Sequence, residues 1–319
     1  MRPVRLAIDT VGGDHGTPVI LEGAIAASRR HKGELIAYLC GNEKSIRSQL
    51  RDFGLGAQEI SDRYIVVDCP GELCASDSPS QAWKTRRDSS MVRCITLQKE
   101  GLVDASVSAG DTGILLGAAN FILGRQDGIA RPALAALLPT SRKKPSLLLD
   151  VGANLTCRPQ QLAAFAKLGC AYIKKLTRKD HPALALLNVG KEPDKGTRVL
   201  ADTAQQLKKT CPNFIGYIEG SDILAGKADV IVTDGFTGNI VLKACESFHL
   251  LVESVMHAKS ELMDMLKTDL SILNAENYGA APLLGINGII LKAHGRSSPK
   301  AISNALATAL VIARGNESA

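Results

Sequence analysis

Apolar residues along the chain gather in short continuous runs instead of alternating with polar ones. Such runs occupy Val4 to Ile8, Leu35 to Leu39, Tyr64 to Val67, Ala105 to Val107, Ser146 to Leu149, Ala183 to Leu187, Asn213 to Gly216 and Asp229 to Val232. A strand that reads as an unbroken apolar run is covered on both faces, which is the signature of a parallel sheet between helices. Most of the intervals are helix-length and carry start signals, such as Asn42 before Lys44 to Phe53 and Ser78-Pro79 before Gln81 to Gln98. The pattern predicts an α/β protein with a mainly parallel sheet. No composition break, Ser/Gly linker or repeat interrupts it, so residues 1–319 are expected to form one domain.

One stretch departs from this rhythm. From Asn239 to Leu273 apolar residues recur at helical spacing, with Val241, Cys245, Phe248, Leu251, Val255, Leu262, Met265 and Leu270 on one stripe. The amphipathic segment, taken as residues 239–277, is too long for an ordinary crossover. It suits a partner helix at a homodimer interface, a core-covering helix or helical pair, or a membrane-facing element that protrudes from the domain. Between Lys243 and Glu276 there are three Lys and six acidic residues, a net −3 that disfavours anionic lipid and favours the partner helix.

Composition narrows the function classes. The 319 residues carry 38 Lys plus Arg against 32 Asp plus Glu, a net charge of +6, and the acidic helical segment leaves the rest of the chain at +9. An acidic partner is therefore expected. Aromatics make up 4% with one Trp, too few for base-stacking platforms, so nucleic acid is not that partner. The eight cysteines are scattered and lack zinc or redox spacing, which reads as reduced core thiols. The start of the chain lacks a signal-peptide layout, and no apolar run reaches the roughly 18 residues of a spanning helix. The expectation is a cytoplasmic protein, at most peripheral at the inner face of the membrane.

In open parallel sheets ligands lie beyond the carboxyl ends of the strands. The loops there are rich in small and polar residues: Asp9-Thr10-Val11-Gly12-Gly13-Asp14-His15, Ser108 to Gly113, Asp150 to Asn154, Asn188 to Thr197, and Thr233 to Asn239. Glycines let backbone N–H groups face an oxyanion. No GxGxxG follows a strand and no GxxxxGK[ST] occurs, so a phosphate-sized anion fits better than a nucleotide. No GxSxG marks a serine hydrolase, and no metal site is expected, although Asp9, Asp14 and Asp234 would suit a hard cation if they converged. His15 and His294 read as loop hydrogen-bonders, and Lys195 stands evenly between a surface role and a site role.

Taken together, GGDH at Gly12 to His15, SAGDTG at Ser108 to Gly113, RPALA at Arg131 to Ala135, LLDVGAN at Leu148 to Asn154, LLNVG at Leu186 to Gly190, TDGFTGN at Thr233 to Asn239 and KAHG at Lys292 to Gly295 resemble the bacterial acyl-ACP:phosphate acyltransferases of phospholipid synthesis. The matches run in order from about Arg5 to Ala309. The resemblance implies a homodimeric, Rossmann-like α/β/α sandwich related to phosphotransacetylases and isocitrate-dehydrogenase-like enzymes. It implies transfer of a fatty acyl group from acyl-ACP to inorganic phosphate, without a cofactor, and a product used in glycerol-3-phosphate acylation at the membrane. The family's catalytic lysine falls on Lys195 and its catalytic asparagine on Asn239. This chain departs from the family pattern at Val11, Asp111, Thr197 and Ala280, where Met, Asn, Asn and Gly are usual, and its segment before Tyr278 is shorter and less basic.

The chemistry is consistent with that inventory. Phosphate at neutral pH is already a nucleophilic oxyanion, and a thiol leaving group with a pKa of about 8.5 needs little protonation. Positioning and oxyanion stabilisation remain to be supplied. Lys195 is expected to orient phosphate and Asn239 to donate an amide N–H. Asp9, Gly12, Gly13, Asp14 and His15, with Asp234, Gly235, Thr237 and Gly238, are expected to shape the anion pocket. The acidic carrier protein should dock on Lys84, Arg86 and Arg87 of one predicted helix, or on Arg142, Lys143 and Lys144. The rival readings are an acyl-CoA phosphotransacetylase, a dehydrogenase with a nucleotide site, and a non-catalytic scaffold of lipid synthesis.

Overall fold

The computed structural model describes residues 2–73, 77–79, 81–142, 144–257 and 280–317. The chain begins with β1 (Val4–Asp9), α1 (Gly16–Arg30), β2 (Leu35–Gly41), α2 (Glu43–Asp52), α3 (Ala57–Arg63), β3 (Tyr64–Asp68), α4 (Ala82–Thr85), α5 (Ser90–Lys99), β4 (Ala105–Ser108) and α6 (Thr112–Ile122). It continues through β5 (Ala133–Leu138), β6 (Ser146–Leu149), α7 (Pro159–Thr177), β7 (Leu184–Leu187), α8 (Arg198–Thr210), β8 (Phe214–Ile218), α9 (Gly220–Leu224), β9 (Val230–Val232) and α10 (Gly235–His257). The described chain closes with β10 (Ala281–Leu284), β11 (Ile290–Lys292) and α12 (Pro299–Glu317). The chain divides into two compact units, Met1–Gly128 with Tyr278–Ala319, and Ile129–Asn277.

In the first unit the strands lie in the order β3-β2-β1-β4-β11-β10, all parallel except β10, which runs antiparallel to β11. Successive side chains of β1 point to opposite faces. Leu6 and Ile8 join one core with residues of α1 and α12, while Ala7 joins another with Cys94 and Leu97 of α5. That two-sided burial is why the strand reads as a continuous apolar run. In the second unit the order is β5-β6-β9-β7-β8, parallel except for β5, which runs antiparallel to β6. There α7 lies so close to the sheet that a Cβ on Gly169 would meet Val230 at 2.7 Å and Leu149 at 3.0 Å.

The mainly parallel α/β architecture matches the hydrophobic pattern, and three differences have local causes. First, the helix expected over Gln81 to Gln98 is two helices. Ser89 takes an extended conformation and donates both its N–H and its Oγ hydrogen to the Arg86 carbonyl, which ends α4 and starts α5 anew. Second, β5, β10 and β11 are strands that the apolar runs did not single out. β5 is ALAALL, a composition with high helix propensity, held extended by its ladder to β6. Third, α10 begins at Gly235, four residues before the expected start, and residues 258–279 of the amphipathic segment lie outside the described residues. Ile240, Phe248 and Leu251 of α10 are exposed.

Cys94 of α5 is buried in one cluster with Cys40 and Cys69, and burial pushes its thiol up from its ordinary value. No disulfide occurs among the described cysteines. Among the described residues no helix is long and apolar enough to cross a membrane.

The contact between α1 and α12 tests the packing of the first unit. A Cβ at Gly23 would sit 2.6 Å from Ile302 Cβ and 2.7 Å from the Pro299 carbonyl. Gly23→Ala is therefore expected to destabilise by about 1–3 kcal/mol in urea unfolding, despite its better helix propensity. Equal or higher stability would mean that the two helices are not packed this closely.

Candidate active site

Each unit places its Gly-rich loops at the carboxyl ends of parallel strands, and in each a buried aspartate takes up the loop's amides. In the first unit Asp9 ends β1 and is 2% exposed. Its Oδ1 accepts from the N–H groups of Val11 (3.2 Å) and Gly12 (3.1 Å) and from Ser90 Oγ (2.6 Å). Its Oδ2 accepts from Ser108 Oγ at 2.6 Å. Two of the following amides are spent as well: Asp14 N–H reaches the Gly295 carbonyl and Gly16 N–H the Gly13 carbonyl. Asp14 and His15 are exposed, and Asp14 lies 3.7 Å from Arg296.

Within Gly12 to His15, the amides of Gly12 and Asp14 thus face the loop's own scaffold. A Cβ at Gly12 would fall 2.5 Å from Asp9 and 2.6 Å from Gly110 N, so close backbone approach explains that glycine. The adjoining pocket, about 310 Å³, is lined by three carboxylates, Asp9, Asp77 and Asp111. Asp111 is the N-cap of α6 and accepts from Ile114 N–H at 2.8 Å.

In the second unit Asp150, fully buried after β6, plays the same part. It accepts from the N–H groups of Leu134 (3.1 Å), Gly152 (3.2 Å), Ala153 (3.0 Å) and Asn154 (2.7 Å), and from Asn154 Nδ2 (2.8 Å). Burial pushes its carboxyl up from the usual range against the pull of those donors. Asp234 caps α10: its Oδ1 accepts from Thr237 N–H at 2.8 Å and its carbonyl from Gly238 N–H at 2.9 Å. Gly235 N–H goes to the Asn154 carbonyl, and a Cβ on Gly238 would overlap the Asp150 carbonyl. Asp234, Gly235, Thr237 and Gly238 thus build the first turn of α10 and dock it on the Asp150 loop, with most of its amides already used.

Asn239 emerges from that turn exposed to solvent, one of its two amide hydrogens donated to the Val151 carbonyl at 3.1 Å. The bond fixes the orientation of the group and leaves a second N–H for a ligand. Lys195 is exposed in the loop between β7 and α8, the strand beside β9 and its α10. Thr197 caps α8 through Leu200 N–H. Cys157 is the thiol beside this edge, and burial pushes it up to about 12, with Asp150 and Asp234 adding to the rise. It stays protonated at neutral pH and is a poor nucleophile.

The expected carrier-docking cations divide. Lys84 is exposed on α4, with its ammonium 5.0 Å from the centroid of Trp83, which stacks on the half-exposed Phe121 at 4.8 Å. Arg87 is exposed in the break between the helices. Arg86 is held by Asp77, to which its Nε donates at 3.1 Å. Of the alternative cluster, Lys143 lies outside the described residues, while Thr140 Oγ1 donates to the Lys144 carbonyl and accepts from Arg142 N–H. No group of three His, Cys, Asp or Glu placed to hold a metal occurs among the described residues.

A family model described as "Fatty acid synthesis protein" matches residues 4–318. The chain belongs to this family. A curated phosphate acyltransferase of Dehalococcoides mccartyi is 42% identical over 317 residues, spanning 95% of this chain and 89% of that protein. One from a Geobacillus species is 40% identical over 319 residues, with coverage of 95% and 93%. Among solved structures, a phosphotransacetylase from Streptococcus pyogenes superposes with a TM-score of 0.65 at 17% identity, covering 99% of this chain and 94% of that one. A 4-hydroxythreonine-4-phosphate dehydrogenase from Klebsiella pneumoniae gives 0.60 at 13% identity, with both chains 98% covered. These two likenesses establish a shared α/β fold.

Sequence reasoning missed Ser90 as a partner of Asp9, since a serine inside an apolar helix carries no local signal, and assigned no role to Asp150. Removing the Asp9 carboxylate orphans two buried hydroxyls, so Asp9→Ala is expected to cost about 3 kcal/mol in urea unfolding. A loss below about 1 kcal/mol would contradict the organising role.

Proposed function

We propose that this family member transfers a fatty acyl group from acyl-ACP to inorganic phosphate, yielding acyl phosphate and free ACP. The observation that carries the reading is identity of 35–42% to curated phosphate acyltransferases over 95% or more of the chain. The geometry supports a division of labour. With the amides of Gly235, Thr237 and Gly238 spent on Asn154 and Asp234, phosphate within the second unit falls to side chains, and Lys195 and Asn239 stand exposed at that sheet's carboxyl edge.

Lys195 neutralises and orients phosphate. A phosphate oxygen attacks the thioester carbonyl carbon, the tetrahedral oxyanion takes the second N–H of Asn239, and the C–S bond breaks to release the carrier's thiolate. Because that thiol has a pKa of about 8.5, it departs without a general acid. No enzyme nucleophile takes part, in keeping with the protonated Cys157. One preorganised donor contributes about 10²–10³ in rate.

The acidic carrier would dock on exposed Lys84 and Arg87, with the Trp83–Phe121 stack beside them. A homodimer paired through the exposed α10 face and peripheral association with the cytoplasmic face of the membrane belong to the same reading, with the protein otherwise in the cytoplasm.

Incubation with palmitoyl-ACP and phosphate should release ACP and acyl phosphate at a much higher rate than palmitoyl-CoA does. Lys195→Ala and Asn239→Ala are each expected to lower kcat by about 10² or more. Near wild-type rates in both would overturn the assignment, and faster turnover of the CoA thioester would favour a phosphotransacetylase. Charge reversal at Lys84 and Arg87 should raise the KM for acyl-ACP steeply at low salt and little at high salt, while an unchanged KM removes that docking site.

A further inference from the structure

The loop that carries Lys195 is exposed over Lys191 to Thr197, yet it is tied down at two points by buried groups. Asn188, 8% exposed at the end of β7, accepts from Val189 N–H with Oδ1 and donates from Nδ2 to the carbonyl of Lys195 itself at 3.0 Å. The loop closes so tightly over this amide that a Cβ on Gly196, whose φ is +87°, would fall 2.1 Å from Asn188 Oδ1. The second tie is Asp222 of α9, 3% exposed, whose carboxylate receives the ammonium groups of Lys191 at 2.9 Å and of Lys227. Those ammonium groups, Lys227 first and then Lys191, hold the Asp222 carboxyl well below the usual range, so it is charged at any working pH. Among the described residues, no carboxylate is ion-paired with Lys195.

We propose that Asn188 and Asp222 are positioning residues for Lys195: Asn188 fixes its backbone, and Asp222 anchors the loop through Lys191 while leaving Lys195 as the unpaired cation that meets phosphate. The proposal rests on the reading of Lys195 as the phosphate-orienting residue. A lysine is a point charge on four rotatable bonds, so its reach is set by where its backbone is held. A misplacement of about 1 Å at a reacting group costs up to about 10² in rate. Two short ties at the base of an otherwise exposed loop are what such placement requires.

Pure electrostatics and positioning differ in sign at Asp222. If Asp222 merely lowered the local positive potential, Asp222→Asn would release two ammonium groups and tighten phosphate. If it anchors the loop, the same change loosens Lys195 and weakens phosphate. The experiment is steady-state kinetics with inorganic phosphate and palmitoyl-ACP varied separately, for wild type, Asn188→Ala, Asp222→Asn and Lys195→Ala, with thermal melts of each. Asn188→Ala and Asp222→Asn are expected to raise the KM for phosphate about tenfold and to leave the KM for palmitoyl-ACP within about twofold.

A lower or unchanged KM for phosphate in Asp222→Asn overturns the proposal, as does an equal rise in both KM values. Should Asn188→Ala fail to fold, Asp222→Asn decides alone. The Lys195→Ala arm separates the two layers. Full activity there removes the reading of Lys195, whereas an inactive Lys195→Ala beside a wild-type phosphate KM in the other two variants removes only the positioning roles.

Discussion

Every strand-end loop of a parallel sheet must pair its amides with something, and here the partner is a carboxylate drawn into the protein. Asp9 and Asp150 sit at the carboxyl ends of β1 and β6, each removed from water and each taking hydrogen bonds from the residues two and three places further on. A buried charge is tolerable only when surrounded by donors, and these two are. The arrangement fixes the loops without a ligand. Asp9 also binds the hydroxyls of Ser90 and Ser108, which joins β1, α5 and β4 at one point. Asp150 holds Asn154, on whose backbone Gly235 rests at the start of α10.

The same constraint redirects the chemistry. Amides that hold a carboxylate are not free to hold phosphate, so those of Val11, Gly12, Gly152 and Ala153 act as frame, and in the proposed reaction the exposed side chains at the loop rims are the groups that meet it. Asn239 is the clearest case: Gly235 and Gly238 press the first turn of α10 onto the Asp150 loop, and the Val151 carbonyl then sets the asparagine's orientation. Lys195 is framed by Asn188 and Gly196. A reaction whose nucleophile and leaving group are both intrinsically competent needs placement more than acid–base machinery.

Much of this was legible in the sequence, for physical reasons that differ by element. The two-sided burial of β1, β2, β6 and β9 writes continuous apolar runs, so the mainly parallel sheet could be read directly. β5 could not, because an alanine-rich strand has helix propensity and its extended form depends on pairing, such as its antiparallel ladder to β6, that the local sequence does not show. The Gly-rich loops at the strand ends were legible as candidates for the site, but which of their groups are held by the scaffold was not, since donor and acceptor pairing depends on partners as distant as Asp9 and Ser108. Two departures from the family pattern also become intelligible. Asp111 and Thr197, two positions at which the sequence departs from the pattern it resembles, are N-caps, a task that Asn, Asp and Thr can all perform.

The central claim is that phosphate attacks the thioester directly, at a site that contributes placement and no covalent intermediate. Rapid-quench mixing of the enzyme with acyl-labelled palmitoyl-ACP in the absence of phosphate tests it most directly. The account predicts no release of free ACP and no label on the protein until phosphate is added. A stoichiometric burst of ACP with the acyl group retained on the chain, on Cys157 or elsewhere, would contradict it.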